Sequence, residues 1–329
     1  MKFLFLMDPL ETIHYKKDTT FIIMLAAFQR GHEVYYVPKN GISLLDSKVY
    51  FKTTKIIPQE KGTVPCFSRG LSLSQKKENH PFKKGKQTSF NQDEIDAVFV
   101  RFDPPFDEHY LMNTWLLDHL PAHIPVINKP SGIRTVNEKV WVSQFKNITP
   151  STIISSDKND LIDFVAKHKN IIAKPTNAFG GQGVFHIKPK DTNTLVILET
   201  LSKQYTNTII LQKYIPKALQ GDKRILLLNG EALGALLRMH PKDEHRNNFF
   251  AGGTPKACVI TAHDQKIIST LKPYLKKLGL YFVGIDILGD YLIEVNVTSP
   301  TCLQEMDRLY NLWGACAKGR LMPRHIILI

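Results

Sequence analysis

Tyr281-Phe282-Val283-Gly284-Ile285-Asp286-Ile287-Leu288 is followed by Gly289-Asp290 and then by Tyr291-Leu292-Ile293-Glu294-Val295-Asn296-Val297. Both runs are rich in β-branched and aromatic residues, and the step between them is a turn signal, so they read as a hairpin. Glu294 and Asn296 are two apart on one strand. Their side chains leave the same face, while Ile293, Val295 and Val297 cover the other. Two carboxylates and an amide oxygen on a sheet surface form a hard-oxygen set suited to Mg2+, which shares its coordination with phosphate oxygens. Register decides whether Asp286 joins them. A two-residue turn at Gly289-Asp290 pairs Leu288 with Tyr291 and sets Asp286 opposite Ile293, facing away from Glu294. A three-residue loop, Gly289 to Tyr291, or another odd count, sets Asp286 opposite Glu294 and is the expectation here. An exposed hairpin with solvated acids is the plainer alternative.

Upstream, Ile171 to Pro175 reads as a strand leading into Phe179-Gly180-Gly181-Gln182-Gly183 and a second strand, Val184 to Ile187. Glycines let backbone N–H groups approach phosphate oxygens. No Gly-Lys-Ser/Thr follows, so this is not the P-loop pattern, and a tight turn also explains the glycines. Lys174 ends its strand beside the loop, and Lys129 precedes a helix in Asn128-Lys129-Pro130. Each alone reads as a surface lysine; with the loop and the acids they suggest phosphate neutralisation. Gln212-Lys213-Tyr214-Ile215-Pro216 is either an inter-lobe hinge whose backbone meets an adenine edge or an ordinary strand exit. Arg224 and Arg238 fall on adjacent strands of a hairpin turned at Asn229-Gly230. A guanidinium can hold a carboxylate by two parallel hydrogen bonds, and surface ion pairing is the alternative. Asp222 shares the parity of Arg224. His240 to Gly253 is polar, carries Arg246, and reads as a lid with a glycine hinge or as a surface loop.

The chain opens with Lys2 to Met7, a continuous apolar run bounded by Asp8-Pro9, as in a buried parallel strand. Asp18-Thr19-Thr20 offers helix caps before an apolar stretch from Phe21 to Phe28, and Glu33 to Val37 is a second strand. This strand–helix–strand unit suggests a Rossmann-like opening lobe. Val49 to Ile57 reads as a weak hairpin, and Pro58 to Phe90 as a mobile surface excursion with little periodicity. At 329 residues, two or three packed lobes are expected. The net charge is +13. Pro58 to Phe90 holds seven Lys or Arg against two Glu, and the last seventeen residues add three bases and no acid, so most of the excess is local. That weakens a nucleic-acid reading. The four cysteines form no CxxC pair and no zinc spacing, pointing to reduced thiols in the cytoplasm. No apolar stretch approaches a membrane span.

In chain order, Met7-Asp8-Pro9, Lys16-Lys17-Asp18-Thr19, Arg101-Phe102-Asp103-Pro104-Pro105-Phe106-Asp107, Ile127-Asn128-Lys129-Pro130, Asn137-Glu138-Lys139, Lys174-Pro175, Gly221-Asp222-Lys223-Arg224, Ala251-Gly252-Gly253 and Glu294 to Thr301 resemble bacterial glutathione synthetase, over about residues 1 to 312. The resemblance implies an α/β (α+β) fold. A Rossmann-like N-terminal lobe (1–126, with the 58–90 loop) precedes a two-lobe ATP-grasp with antiparallel sheets (127–214 and 215–312), and 313–329 is a divergent tail. It implies an ATP-dependent ligase that joins γ-glutamylcysteine to glycine, uses Mg2+ or Mn2+, and forms a homotetramer with no nucleic-acid or membrane partner. The family's nucleotide contacts fall on Lys129, Lys174, Gly180, Gly181, Gln212, Tyr214, Ile215 and Asp222. Its metal ligands fall on Asp286, Glu294 and Asn296. The peptide's carboxylates would meet Arg224, Arg238 and the Ser299-Pro300-Thr301 turn, and Arg238 or Arg246 would stabilise the oxyanion. The chain departs from the family pattern at Asn177-Ala178, where Asp-Gly is usual, in a lid without the usual glycines, and in the tail from Trp313.

Overall fold

The opening apolar run forms β1 (Lys2–Met7), buried along almost its whole length. Asp18 accepts the Phe21 N–H and starts α1 (Thr19–Gln29), whose residues from Thr19 to Ala27 are all buried. The chain continues through β2 (Glu33–Val37), β3 (Ile42–Leu45), β4 (Lys48–Pro58), β5 (Phe82–Asn91), β6 (Ala97–Arg101), α2 (Glu108–Leu117), β7 (Val126–Ile127) and α3 (Pro130–Thr135). β1 pairs in parallel with β2 and β6, and β6 with β7, which is the Rossmann-like core expected from the sequence. This computed structural model describes residues 1–15, 17–58, 82–240 and 252–310. Arg246 and the tail from Trp313 therefore lie outside the described residues.

Two expectations in this lobe are corrected. Val49 to Ile57 is not a hairpin but part of the single long strand β4, paired with β3 before it. Residues 82–90 are not loop: they belong to β5, which runs antiparallel to β4. Only Phe82 and Phe90 of that strand are buried, while Lys83, Lys84 and Lys86 stay in solvent. A polar strand on a sheet edge has no alternating pattern to announce it, and its lysines discourage further pairing.

A second sheet follows from β8 (Thr152–Ser155), α4 (Lys158–His168), β9 (Ile171–Pro175), β10 (Phe185–Ile187), α5 (Thr194–Leu201) and β11 (Ile209–Lys213). Its order is β10-β9-β11-β8, all antiparallel. Leu161, Phe164, Ile171, Ala173, Leu198 and Leu211 give it a core of its own.

The third sheet is built from β12 (Asp222–Leu228), β13 (Glu231–Met239), β14 (Thr254–Ala257), α6 (Ala262–Lys277), β15 (Phe282–Leu288), β16 (Tyr291–Asn296) and α7 (Leu303–Tyr310), in the order β14-β13-β12-β15-β16. Asn229 and Gly230 both have positive φ, as the tight turn between β12 and β13 requires. Its core runs into that of the first sheet: Leu4, Val98 and Phe102 share one cluster with Ile225, Val283 and Leu292.

The β15–β16 hairpin reaches its register by an unexpected route. Leu288 pairs with Tyr291 across a two-residue turn, not the odd-numbered loop expected. The ladder then shifts, so that Ile287 faces Leu292 but Asp286 faces Glu294. Ile293 is the extra residue of a β-bulge. Leu292, not Ile293, joins Val295 and Val297 in the main core.

Asn128 stitches the first and third lobes. Its side-chain amide donates to the carbonyls of Phe282 and Val297, both at 2.8 Å, and its Oδ1 accepts the Phe282 N–H at 2.8 Å. All three bonds are buried, so truncation orphans main-chain groups at about 1–3 kcal/mol each. Asn128→Ala is expected to lower stability by at least about 2 kcal/mol with helix and strand content unchanged, as read by chemical denaturation. A loss below ~0.5 kcal/mol would refute this account.

Candidate active site

The bulge places Asp286 and Glu294 side by side on one face of the third sheet, with Asn296 beyond them. Asn296 donates to the Gly284 carbonyl at 3.2 Å and approaches Asp286 Oδ2 at 3.4 Å. Asp286 is 3% exposed and lies opposite Arg224 on β12. The Arg224 fork takes both of its oxygens, through Nε to Oδ1 and through Nη2 to Oδ2 at 2.8 Å. Arg238 forks Asp222 in the same way, with Nε 2.7 Å from Oδ1, and its Nη2 also lies 3.0 Å from Asp286 Oδ2. These are buried pairs, not the surface pairs weighed from the sequence. Burial alone would push the Asp286 carboxyl up; Arg224 and then Arg238 outweigh it and hold the acid well below the usual carboxylate range. Burial likewise opposes the Arg238 charge, and Asp222 with Asp286 more than offsets it.

Two lysines face this surface. Lys174 on β9 is 5% exposed, and burial pulls its pKa down, opposed by the charge of Glu294 and reinforced by that of Lys139. Among the described residues no carboxylate lies within ion-pairing distance of it. Lys139 sits 4.0 Å from Glu294 Oε1 and donates to the Ala178 carbonyl in the glycine-rich loop. Gly180, Gly181 and Gly183 of that loop all have positive φ, which a side chain resists. Beside Lys139, Glu138 accepts hydrogen bonds from Val297 and Thr298, and burial, with the charge of Glu294, pushes its pKa up.

Lys129 is elsewhere. It is exposed at the start of α3, its N–H bonded to the Gly279 carbonyl, and no ion pair or hydrogen bond among the described residues ties it to the carboxylates. Lys139, not Lys129, is the one of these two lysines that lies within 4.0 Å of Glu294. By residue type Asn137-Glu138-Lys139 looks like a solvated loop, and only its resemblance to the family motif marks it. The strand exit at Gln212 is anchored: Gln212 Nε2 donates to Thr152 at 3.0 Å, Tyr214 N–H to the Asn170 carbonyl at 3.0 Å, and the Tyr214 ring stacks on His186. Ile215 is buried just beyond it.

The first sheet closes the other side. Buried Arg101, at the carboxyl end of β6, donates to Thr20 Oγ1 and to the Pro300 carbonyl, both at 3.0 Å. Ser299 donates to Asp103, and Thr301 Oγ1 lies 3.9 Å from Cys302 Sγ. The Ser299-Pro300-Thr301 turn is thus moored where open α/β sheets collect ligands, beyond the carboxyl ends of parallel strands. Arg101 and Asp103 had no assigned role; a charged residue closing a buried strand was the available signal.

The family model described as prokaryotic glutathione synthetase, ATP-grasp domain, matches residues 138–311, and that described as the N-terminal domain matches residues 1–134. The chain belongs to the prokaryotic glutathione synthetase family. Among glutathione synthetases, that of Vibrio parahaemolyticus is 35% identical over 96% of this chain and 95% of its own, and that of a Nostoc species 39% identical over 94% of each. Among solved structures, the D-cycloserine synthetase DcsG shares the fold at 12% identity, with a TM-score of 0.59 over 91% of this chain and 92% of its own. No helix among the described residues of this glutathione synthetase family member is long and apolar enough to cross a membrane. Nor do three or more His, Cys, Asp or Glu of those residues gather as a metal cluster.

Asp286, with its depressed pKa, contributes stability that is present above the unfolded carboxylate range, near 4, and is lost as pH falls toward its lower folded value. Asp286→Asn removes that contribution and leaves two guanidiniums buried with less countercharge, a cost of about 3–5 kcal/mol at neutral pH. The melting-temperature gap between the variant and wild type is expected to be largest at neutral pH and to narrow below about pH 4. A gap constant down to pH 3 would show that the forks do not depend on this charge.

Proposed function

We propose that the face carrying Asp286, Glu294 and Asn296 is where this chain performs ATP-dependent glutathione synthesis, with Lys174 and Lys139 receiving the terminal phosphates. Family membership makes the chain an ATP-dependent ligase that forms glutathione and depends on a divalent metal. The observation that carries the residue-level reading is Lys174. A buried ammonium without a carboxylate partner among the described residues is costly to maintain, and phosphate oxygens are the anions that would meet it. The neighbouring carboxylates and amide suit a hard divalent ion, Mg2+ or Mn2+, held by Asp286, Glu294 and Asn296. When bound, that ion neutralises charge on the transferring phosphoryl group.

The protein's own groups do the rest. A carboxylate resists attack by an amine, so the cysteinyl carboxylate of γ-glutamylcysteine first takes the γ-phosphoryl group and ADP leaves. The amine of glycine then attacks that acyl carbon; a C–N bond forms, the C–O bond to phosphate breaks, and the amine loses its proton. Gly180 and Gly181 bring main-chain N–H groups to the phosphates, and Gln212, Tyr214, Ile215 and Asp222 complete the nucleotide's surroundings. Arg224 and Arg238 are held ready by Asp286 and Asp222, so an incoming peptide carboxylate exchanges one buried carboxylate partner for another. Ser299, Pro300 and Thr301 shape the peptide's side of the cleft. The tetrahedral oxyanion falls to Arg238 or to Arg246, the latter outside the described residues. The working form is a cytoplasmic homotetramer.

ADP release is expected to require γ-glutamylcysteine and glycine together, with glutathione as the product by mass spectrometry. Another product from another acid and amine would redirect the reading within the same ligase class. Glu294→Gln should reduce turnover by at least about 100-fold, since even residues behind metal ligands cost 10–100-fold. Lys139→Met should weaken ATP binding by about 10- to 100-fold, the worth of one charged hydrogen bond. Lys129→Met should leave ATP binding within about twofold, since an exposed charge contributes little; the reverse ranking by calorimetry would return the phosphate role to Lys129.

A further inference from the structure

We infer that Glu138 is a positioning residue for the divalent-ion site: it fixes the outer edge of β16 and sets a second negative charge beside Glu294. The inference rests on the assignment of the ion to Asp286, Glu294 and Asn296. β16 is the last strand of its sheet, so the N–H groups of its outer edge have no strand to meet. The Ile148 carbonyl takes the Leu292 N–H at 2.7 Å, and from Val295 onward Glu138 supplies the acceptors in place of a strand. Its carbonyl takes the Val295 N–H at 2.9 Å. Its Oε1 takes the Val297 N–H at 3.1 Å, the Thr298 hydroxyl at 2.9 Å and the Thr298 N–H at 3.4 Å.

Val295 and Val297 alternate with Glu294 and Asn296. Fixing the main chain at 295 and 297 therefore fixes the direction in which both oxygen ligands leave the sheet. The same bonds reach Thr298 and so also set where the Ser299-Pro300-Thr301 turn begins. A bulge lies just before this stretch, between Leu292 and Glu294, where the ladder to β15 is interrupted. The edge needs a restraint from outside the sheet at that point, and Glu138 is where one comes from.

The charge has its own part. Lys139, next to Glu138 in the chain, lies 4.0 Å from Glu294 Oε1, and the charge of Glu294 adds to burial in pushing the Glu138 pKa up. Two neighbouring carboxylates with one adjacent ammonium favour the arrival of a further cation, and a divalent one most. Glu138 needs no bond to the ion to strengthen its binding.

Three variants separate these parts, with Mn2+ binding read by electron paramagnetic resonance titration in the presence of ADP. Glu138→Gln keeps an oxygen acceptor but loses the charge. It is expected to melt close to wild type and to bind Mn2+ about 10-fold more weakly, with metal-free ADP binding unchanged. Glu138→Ala loses acceptor and charge and is expected to weaken Mn2+ further and to lower the melting temperature. If Glu138→Ala does not fold, Glu138→Gln alone decides. A lowered melting temperature with wild-type Mn2+ affinity in both variants overturns the inference and leaves Glu138 a structural residue. Glu294→Gln is the control: if it too binds Mn2+ like wild type, the ion site itself is misassigned.

Discussion

The third sheet must keep an apolar face on the core shared with the first lobe, and it must also present acids on its other face. On β15 these demands agree, because Ile285 and Ile287 alternate with Asp286. On β16 they agree from Glu294 onward, where Val295 and Val297 alternate with Glu294 and Asn296. A two-residue turn would join the strands out of phase, burying Glu294 and Asn296 or exposing their valines. One unpaired residue, Ile293, removes the conflict. It lets Leu292 pair with Ile287 in the core while Glu294 comes opposite Asp286. The acidic face, the argininium forks that bind it and the lysines that oppose it all follow from that one-residue offset.

Charge density at the site is supported by where the cores lie. The first and third sheets share two apolar clusters, and the second has a separate one. Lys174 is therefore carried by a sheet whose core is separate from the one beneath the carboxylates. Segments from residue 128 to 139 cross the same ground with hydrogen bonds: Asn128 to the ends of β15 and β16, Glu138 to the outer edge of β16, Lys139 to the glycine-rich loop.

Elements whose signals are local were readable in advance. The apolar run of β1, the Asp18 cap, the Asn229-Gly230 turn and the parity of Glu294 and Asn296 each depend on residues a few positions apart. β5 was not readable, because its polar outer edge carries no period and its pairing with β4 crosses residues 59–81. Nor was the approach of Lys139, and not Lys129, to Glu294. Both are lysines in polar connections, and nothing within either segment tells which one approaches Glu294.

The sequence by itself determined most of the apolar strands, the Asn229-Gly230 turn, and that Glu294 and Asn296 share one face of their strand, because these rest on periodicity, turn chemistry and motif. Only the tertiary structure decided the bulge at Ile293, the pairing of Arg224 with Asp286 and of Arg238 with Asp222, and the approach of Lys139 and Glu138 to β16. Those depend on register and on contacts between residues far apart in the chain, where the free energy of burying charge, not local preference, selects the partner.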